Sequence, residues 1–123
     1  MTRRPITAIE AKAWAEDLCS RAEYASGEIR ERLIRKGLSP AVADRITGEL
    51  IEARFIDDAR FARAFVRDKT AFARWGKQKI IAALYQKRVG REEISEAIDE
   101  IDNDAYVDGL ADLLRAKLRS LGS

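Results

Sequence analysis

Two segments of the chain, 51 residues apart, resemble each other and constrain the fold more than any other feature of the sequence. The segment AEYASGEIRERLIRKGLS precedes ARWGKQKIIAALYQKRVG by that distance. An internal repeat of this length is typical of stacked helical units, because one unit cannot bury its own apolar face whereas neighbouring units together enclose a core. The matching positions are Tyr24 and Trp75, Ile29 and Ile80, Leu33 and Leu84, Ile34 and Tyr85, Lys36 and Lys87, and Leu38 and Val89.

The first copy contains signals for three helices. Thr7 and Glu10 have the spacing of a capping box, in which each side chain bonds the backbone of the other residue. Gly37 stands where a helix ends in a left-handed residue, and Ser39 followed by Pro40 begins the next helix. The first repeat is therefore predicted at about residues 7–54. Its predicted inward side chains are Trp14, Leu18, Ala22, Ile29, Leu33, Val42, Ile46 and Leu50.

The second copy begins at Asp57, which is a natural N-cap, while Asp58 adds negative charge to the first helical turn. Phe61, Phe65 and Phe72 are predicted to share the inner face of the helix that follows. Helices at about 77–87 and 91–101 are predicted to complete a second repeat at about 57–102. A seventh helix, DAYVDGLADLLRAKLRSLG, is predicted to start a third repeat at about 103–120. Its predicted apolar side chains are Tyr106, Leu110, Leu113, Leu114 and Leu118.

The composition argues against several classes of function. The chain has no histidine and one cysteine, Cys19, so it cannot assemble a histidine-dependent nucleophile system or an ordinary zinc site. Its glycines stand singly, so no glycine-rich phosphate loop is present. We therefore expect no catalytic residues, no metal and no cofactor. A chain without a run of ~18 apolar residues is expected not to span a membrane, and a single cysteine suits the reducing cytoplasm.

Charge is segregated along the chain, although the formal net charge is only +2. Residues 54–91 hold 11 basic and 3 acidic side chains, whereas residues 92–112 hold 9 acidic side chains and no basic one. The basic segment favours contact with phosphate groups or with an acidic protein surface. The acidic segment would be repelled by DNA, and we expect it to face protein or solvent.

Four arginines of the fourth predicted helix form what we call the arginine ridge, namely Arg60, Arg63, Arg67 and Arg74. At about 100° per residue they fall within a sector of about 60°, roughly opposite the phenylalanines. Such a row is either a solvated face or a contact surface, and the bidentate binding of guanidinium groups favours contact. The candidate residues for binding a partner or DNA are Arg60, Arg63, Arg67, Arg74, Lys77, Lys79, Lys87 and Arg88.

Two residue pairs have alternative interpretations. Asp57 and Asp58 could form a catalytic pair of carboxylates, but the helix start directly after them favours capping. Trp75 and Tyr85 could stack on nucleic-acid bases, but their match to positions of the first copy favours packing. Cys19 is expected to be a small, half-buried filler.

Three blocks of the sequence, EIRERLIRKGLS, FIDDARFARAFV and GKQKIIAALYQKRV, together resemble the RecX family of bacterial regulators of the RecA recombinase. The resemblance covers about residues 15–102, and the blocks occur in order at the family's distances. It implies an all-α fold of tandem three-helix repeats in an elongated, curved array. Members of the family usually complete a third repeat, whereas this sequence ends within the first helix of that repeat.

The resemblance also implies a function without catalysis. Such a protein binds in the helical groove of the RecA–DNA filament and lowers strand exchange and co-protease activity. The implied partners are RecA, its filament and DNA directly, and we expect a cytoplasmic monomer. Two other functions stay open from the residues themselves: a free-standing DNA-binding module that acts without RecA, and an adaptor for an unrelated protein.

Overall fold

A computed structural model describes residues 4–122 except the side chains of residues 105 and 106, so the predicted role of Tyr106 lies outside the described residues. Within that range the chain forms six α-helices and no strand. The predicted all-α array of tandem three-helix units is therefore confirmed. The helices are α1 (Ala8–Arg21), α2 (Ser26–Arg35), α3 (Pro40–Glu52), α4 (Asp58–Ala71), α5 (Lys77–Gln86) and α6 (Arg91–Leu121).

Each set of three helices encloses a core of its own. Ile29 and Leu33 of α2 are fully buried in the first core, and the matching Ile80 and Leu84 of α5 are buried in the second. Ala25, from the connection before α2, is fully buried in the second core rather than the first. The two repeats are therefore stacked, and the chain between α1 and α2 contributes to both.

The helix starts and one helix end follow the sequence signals. Thr7 accepts a hydrogen bond from the Glu10 backbone N–H at 3.1 Å, and Ser39 and Asp57 accept equivalent bonds at the starts of α3 and α4. Arg4 and Thr7 donate to the Glu10 carboxylate, and these bonds hold the pKa of Glu10 below its ordinary value. Gly37 has φ of 105°, as expected for a left-handed residue after a helix.

Two predictions about the inner faces were wrong. Phe72 is 84% exposed, because α4 ends at Ala71 and the chain turns away before Phe72 can join the core. Trp75 takes the inner place instead, with its ring centroid 6.3 Å from that of Phe65. Ala22 is exposed because α1 ends one residue earlier, at Arg21, and small Ala11 and Ala15 form its buried face.

The predicted seventh helix is not separate. Residues 91–121 form one continuous helix of 31 residues, and no break occurs near residue 102. The sequence in this region contains no proline, and no residue within the helix leaves helical geometry to act as an N-cap. The assignment of residues 103–120 to a third repeat stays a prediction.

The two repeats are held together by polar contacts around the start of α2. Asp58, in the first turn of α4, accepts from the backbone N–H of Ser26 at 2.7 Å and from its hydroxyl at 2.6 Å. A carboxylate from the second repeat thus caps a helix of the first. The backbones also approach closely, because a Cβ at Gly27 would stand 2.5 Å from the Cβ of Arg88. Only glycine fits at position 27.

Replacing Asp57 by alanine should destabilise the fold by about 1 kcal/mol, because α4 loses its N-cap. Chemical unfolding of the Asp57→Ala variant measures the loss. Asp68→Ala is the control, since Asp68 lies near the other end of the same helix and caps nothing there. Equal stability of the two variants would contradict a capping role.

The junction between the repeats gives a second test. Asp58→Ala removes two hydrogen bonds to a charged acceptor and should cost about 1–3 kcal/mol. Ser26→Ala should cost less, because its backbone N–H still reaches Asp58. Unfolding free energies of both variants and of the double variant form a thermodynamic cycle. Strictly additive losses would mean that the two side chains do not interact.

Candidate basic contact surface

The structure divides the eight predicted contact residues into two groups. Six of them form ion pairs with carboxylates of the same chain, and two do not. The pairs are Arg60 with Glu23, Arg63 and Arg67 with Glu100, Lys77 with Asp102, Lys87 with Glu28, and Arg88 with Glu31. Arg74 and Lys79 have no carboxylate within salt-bridge distance in residues 4–122.

The arginine ridge faces neighbouring elements more than the sequence predicted. Arg63 lies 3.9 Å from Glu100, and Arg67 bonds the other oxygen of the same carboxylate, so the ridge is joined to α6. Arg60 donates to Glu23 at 2.8 Å, which joins the ridge to the end of the α1 region. Arg74 lies beyond the end of α4 and so leaves the predicted row.

The acidic segment is consequently a partner of the basic one. Glu100 and Asp102 on α6 form ion pairs with Arg63, Arg67 and Lys77. The sequence pattern of a single helix could not predict these pairs, because the partners lie on different elements. All of these side chains are at least a third exposed. Exposed ion pairs contribute little net stability, so these cations can exchange a carboxylate for another anion at small cost.

The two cations that remain lie near the connection between α4 and α5, residues 72–76: Arg74 is within it, and Lys79 is in the first turn of α5. Arg74 has φ of 55°, a left-handed conformation that is unfavourable for a residue with a Cβ. The ammonium of Lys79 lies 4.3 Å from the centre of the Trp75 ring, and that of Lys69 lies 4.9 Å from it. Exposed Phe72 stands beside them in the sequence. We call Lys69, Phe72, Arg74, Trp75 and Lys79 the basic–aromatic turn.

The structure bears on the alternative roles considered for Asp57, Asp58, Trp75 and Tyr85. Both oxygens of Asp58 are occupied by Ser26 and Asp57 caps α4, so these carboxylates are structural. Trp75 is half-buried against the second core, which agrees with packing, whereas Tyr85 is 49% exposed. Burial raises the pKa of the Cys19 thiol, so this half-buried cysteine is not an activated nucleophile.

Neither a metal centre nor a membrane span emerges from the described part of the chain. Residues 4–122 gather no group of three or more carboxylate or thiol side chains that could hold a metal ion. Within the same residues, no helix combines the length and the apolar character that crossing a bilayer requires.

Two family descriptions match the chain over most of its helical units. The RecX first three-helix domain matches residues 11–50, and the RecX second three-helix domain matches residues 57–98. The chain belongs to the RecX family. The matches cover most of α1–α3, all of α4 and α5 and the first two turns of α6, which places the RecX pattern on the two cores described above.

Several relatives named regulatory protein RecX are similar to the chain. That of Mycobacteroides abscessus is 34% identical over 107 residues, which are 85% of this chain and 52% of the relative. That of Mycobacterium sp. strain JLS is 31% identical over 110 residues, covering 89% and 60% of the two chains. That of Clostridium tetani is 26% identical over 113 residues, covering 92% and 51%. The chain therefore spans about half to three fifths of the length of these relatives.

A crystal structure of a regulatory protein RecX has the same fold. It superposes with a TM-score of 0.66 at 22% identity, over 76% of this chain and 48% of the other. At that identity the likeness concerns the arrangement of helices and not the contact residues.

Proposed function

We propose that this RecX-family chain is a non-enzymatic regulator that binds the RecA–DNA filament and lowers RecA activity in the cytoplasm. The observation that carries the proposal is the match of both three-helix units to RecX domains, together with relatives named regulatory protein RecX. The basic–aromatic turn supports it, because two of its cations, Arg74 and Lys79, have no carboxylate within salt-bridge distance in residues 4–122 and are available to an acidic partner.

The filament offers two kinds of anion, phosphates of DNA and carboxylates of protein. Arg74 suits either, since a guanidinium group binds both in a bidentate manner. The ridge arginines would add to the contact after release from Glu100.

DNA binding without RecA is the second candidate function. The observation in its favour is the combination of aromatic and cationic side chains in the basic–aromatic turn, which suits single-stranded nucleic acid. The two functions differ in whether the chain binds RecA-coated DNA or bare DNA more tightly. A regulator of the filament binds RecA-coated DNA more tightly than bare DNA, whereas a DNA-binding module binds both equally or prefers bare DNA.

The DNA-dependent ATPase activity of RecA tests the proposal directly. The chain should lower this activity, and Arg74→Gln with Lys79→Gln should raise the concentration needed for half of the effect by about tenfold or more, because two charge-assisted contacts are lost. Removing two positive charges elsewhere, by Arg21→Gln with Arg45→Gln, should change it little. An ATPase rate unaffected by the parent chain would refute the filament function, and equal potency of both double variants would refute the contact at the turn.

Removing a carboxylate that competes for the ridge arginines should instead increase the affinity of the chain for the filament. Glu100→Gln releases Arg63 and Arg67 from their shared carboxylate and should strengthen filament binding several-fold, since these ion pairs no longer have to be broken. Glu96→Gln is the matched control, because it makes the same change in net charge on α6 at an exposed residue without an ion pair. Fluorescence anisotropy with labelled filaments measures both. If the two variants bind equally, the ridge does not take part in the contact.

A further inference from the structure

The outer face of α2 carries three arginines that the fold itself does not require. α2 and α5 occupy matching places in the two repeats, are both ten residues long and bury matching inward positions. Basic residues in the last turn of a helix favour its dipole, but α5 forms an equally long helix with none there. Helix formation therefore does not account for the arginines of α2. The outer positions that differ are Arg30 and Ile81, Arg32 and Ala83, and Arg35 and Gln86.

Two of these arginines and one arginine of the second repeat line a groove of about 440 Å³ where the repeats meet. Its walls come from α2 and from the chain just after α5, so the groove is formed by the two repeats alone. Three guanidinium groups stand against one carboxylate among its lining residues. We call it the α2 groove, and it is lined by Arg30, Glu31, Ile34, Arg35 and Arg88.

The cations of the α2 groove are only partly neutralised. Arg88 pairs with Glu31 at 2.6 Å, and Arg30 pairs with Asp44 of α3. These four side chains are between 33% and 59% exposed, so the pairs can exchange a carboxylate for another anion at small cost. Arg35 is exposed and has no carboxylate within salt-bridge distance in the part of the chain that the structure describes.

The place of the α2 groove relative to the basic–aromatic turn indicates which anion it binds. The two surfaces lie at opposite ends of α5, because Lys79 is in its first turn and Arg88 follows its last residue by two positions. At 1.5 Å per residue they are about 14 Å apart along the helix. No residue between 69 and 91 is acidic, so α5 itself has no carboxylate that would repel a polyanion along its length.

A nucleic acid strand meets this arrangement without further conditions. Its charges are evenly spaced, and about four phosphates at 3.4 Å each cover the 14 Å between the two surfaces. An acidic protein would instead need carboxylates placed at both ends of α5. The regular spacing of charge therefore favours nucleic acid over a protein surface.

We propose that the α2 groove is a second phosphate-binding surface, and that one nucleic acid strand contacts the chain at both ends of α5. Arg30 and Arg35 bind phosphate oxygens in a bidentate manner, and Arg88 joins them after exchanging Glu31 for a phosphate. The proposed filament function involves only the basic–aromatic turn and the ridge, whereas this contact lies on the first repeat. Residues 1–53 hold 9 basic and 9 acidic side chains, so net charge gave no sign of it.

Fluorescence anisotropy with a labelled single-stranded oligodeoxythymidine, in the absence of RecA, tests the proposal. Arg30→Gln with Arg35→Gln should weaken binding about tenfold or more, because two charge-assisted contacts are lost. The slope of log affinity against log salt should fall by about 0.7 for each phosphate contact removed. Arg21→Gln with Arg45→Gln is the matched control for net charge and should change both little.

Two results of this titration would overturn the proposal. One is equal affinity and equal salt slope for the two double variants, and the other is a parent chain that does not bind the oligonucleotide at low salt. The shared strand has its own test, because it requires saturation at one strand per chain. Two strands per chain would mean that the two surfaces bind separately, and would refute the shared strand.

Glu31→Gln provides a gain of affinity that unfolding cannot imitate. It removes the carboxylate that competes for Arg88 and should strengthen oligonucleotide binding several-fold. Glu52→Gln is the matched control, because it makes the same change in net charge at an exposed residue of α3 without an ion pair in residues 4–122. Equal affinities of these two variants would contradict a phosphate in the groove. Circular dichroism confirms that every variant keeps its helix content.

An acidic surface of RecA is the alternative occupant, and the same variants identify it. If Arg30→Gln with Arg35→Gln leaves oligonucleotide binding unchanged but raises the concentration needed for half of the effect on RecA ATPase activity, the groove contacts protein and the proposal is wrong. A parent chain that binds the oligonucleotide through these arginines without affecting the ATPase refutes the filament function instead. The two failures are therefore distinguishable.

Discussion

The close contact between the repeats at Gly27 is the constraint on which the rest of the structure depends. The backbone of α2 lies so near Arg88 that any side chain at position 27 would overlap with it. Arg88 itself has φ of 63°, the left-handed conformation that Gly37 has at the matching position of the first repeat. Asp58 then binds Ser26 and completes the start of α2. Together these contacts fix α4 against the first repeat and thereby set where its arginines lie.

Fixing α4 on both sides explains why its charges are shared within the chain. Arg60 reaches back to Glu23 of the first repeat, and Arg63 and Arg67 reach across to Glu100 of α6. The packing of α4 on α6 brings the basic and acidic segments together and leaves a surface that is less positive than the sequence suggests. A surface of exchangeable pairs favours selective contact, because an incoming anion must compete with a carboxylate already in place.

Local signals predicted most of the fold, and long-range contacts account for most of what was missed. The caps at Thr7, Ser39 and Asp57 depend on residues three positions away, so the sequence alone located them. Asp58 could not be assigned to Ser26, and Arg67 could not be assigned to Glu100, because 32 and 33 residues separate the partners. The arginine ridge failed at its last member for a local reason, since periodicity does not show that α4 ends at Ala71.

The continuity of α6 depends on tertiary contacts in its first half and on local helix propagation in its second half. Its first half is held by apolar burial against the second repeat, and Glu100 and Asp102 bind cations there. None of the described side chains of residues 107–121 is buried. This half persists because the helix is already nucleated, so each added residue gains a hydrogen bond without a new nucleus. The first half is therefore fixed by tertiary contacts, and the second half by helix propagation.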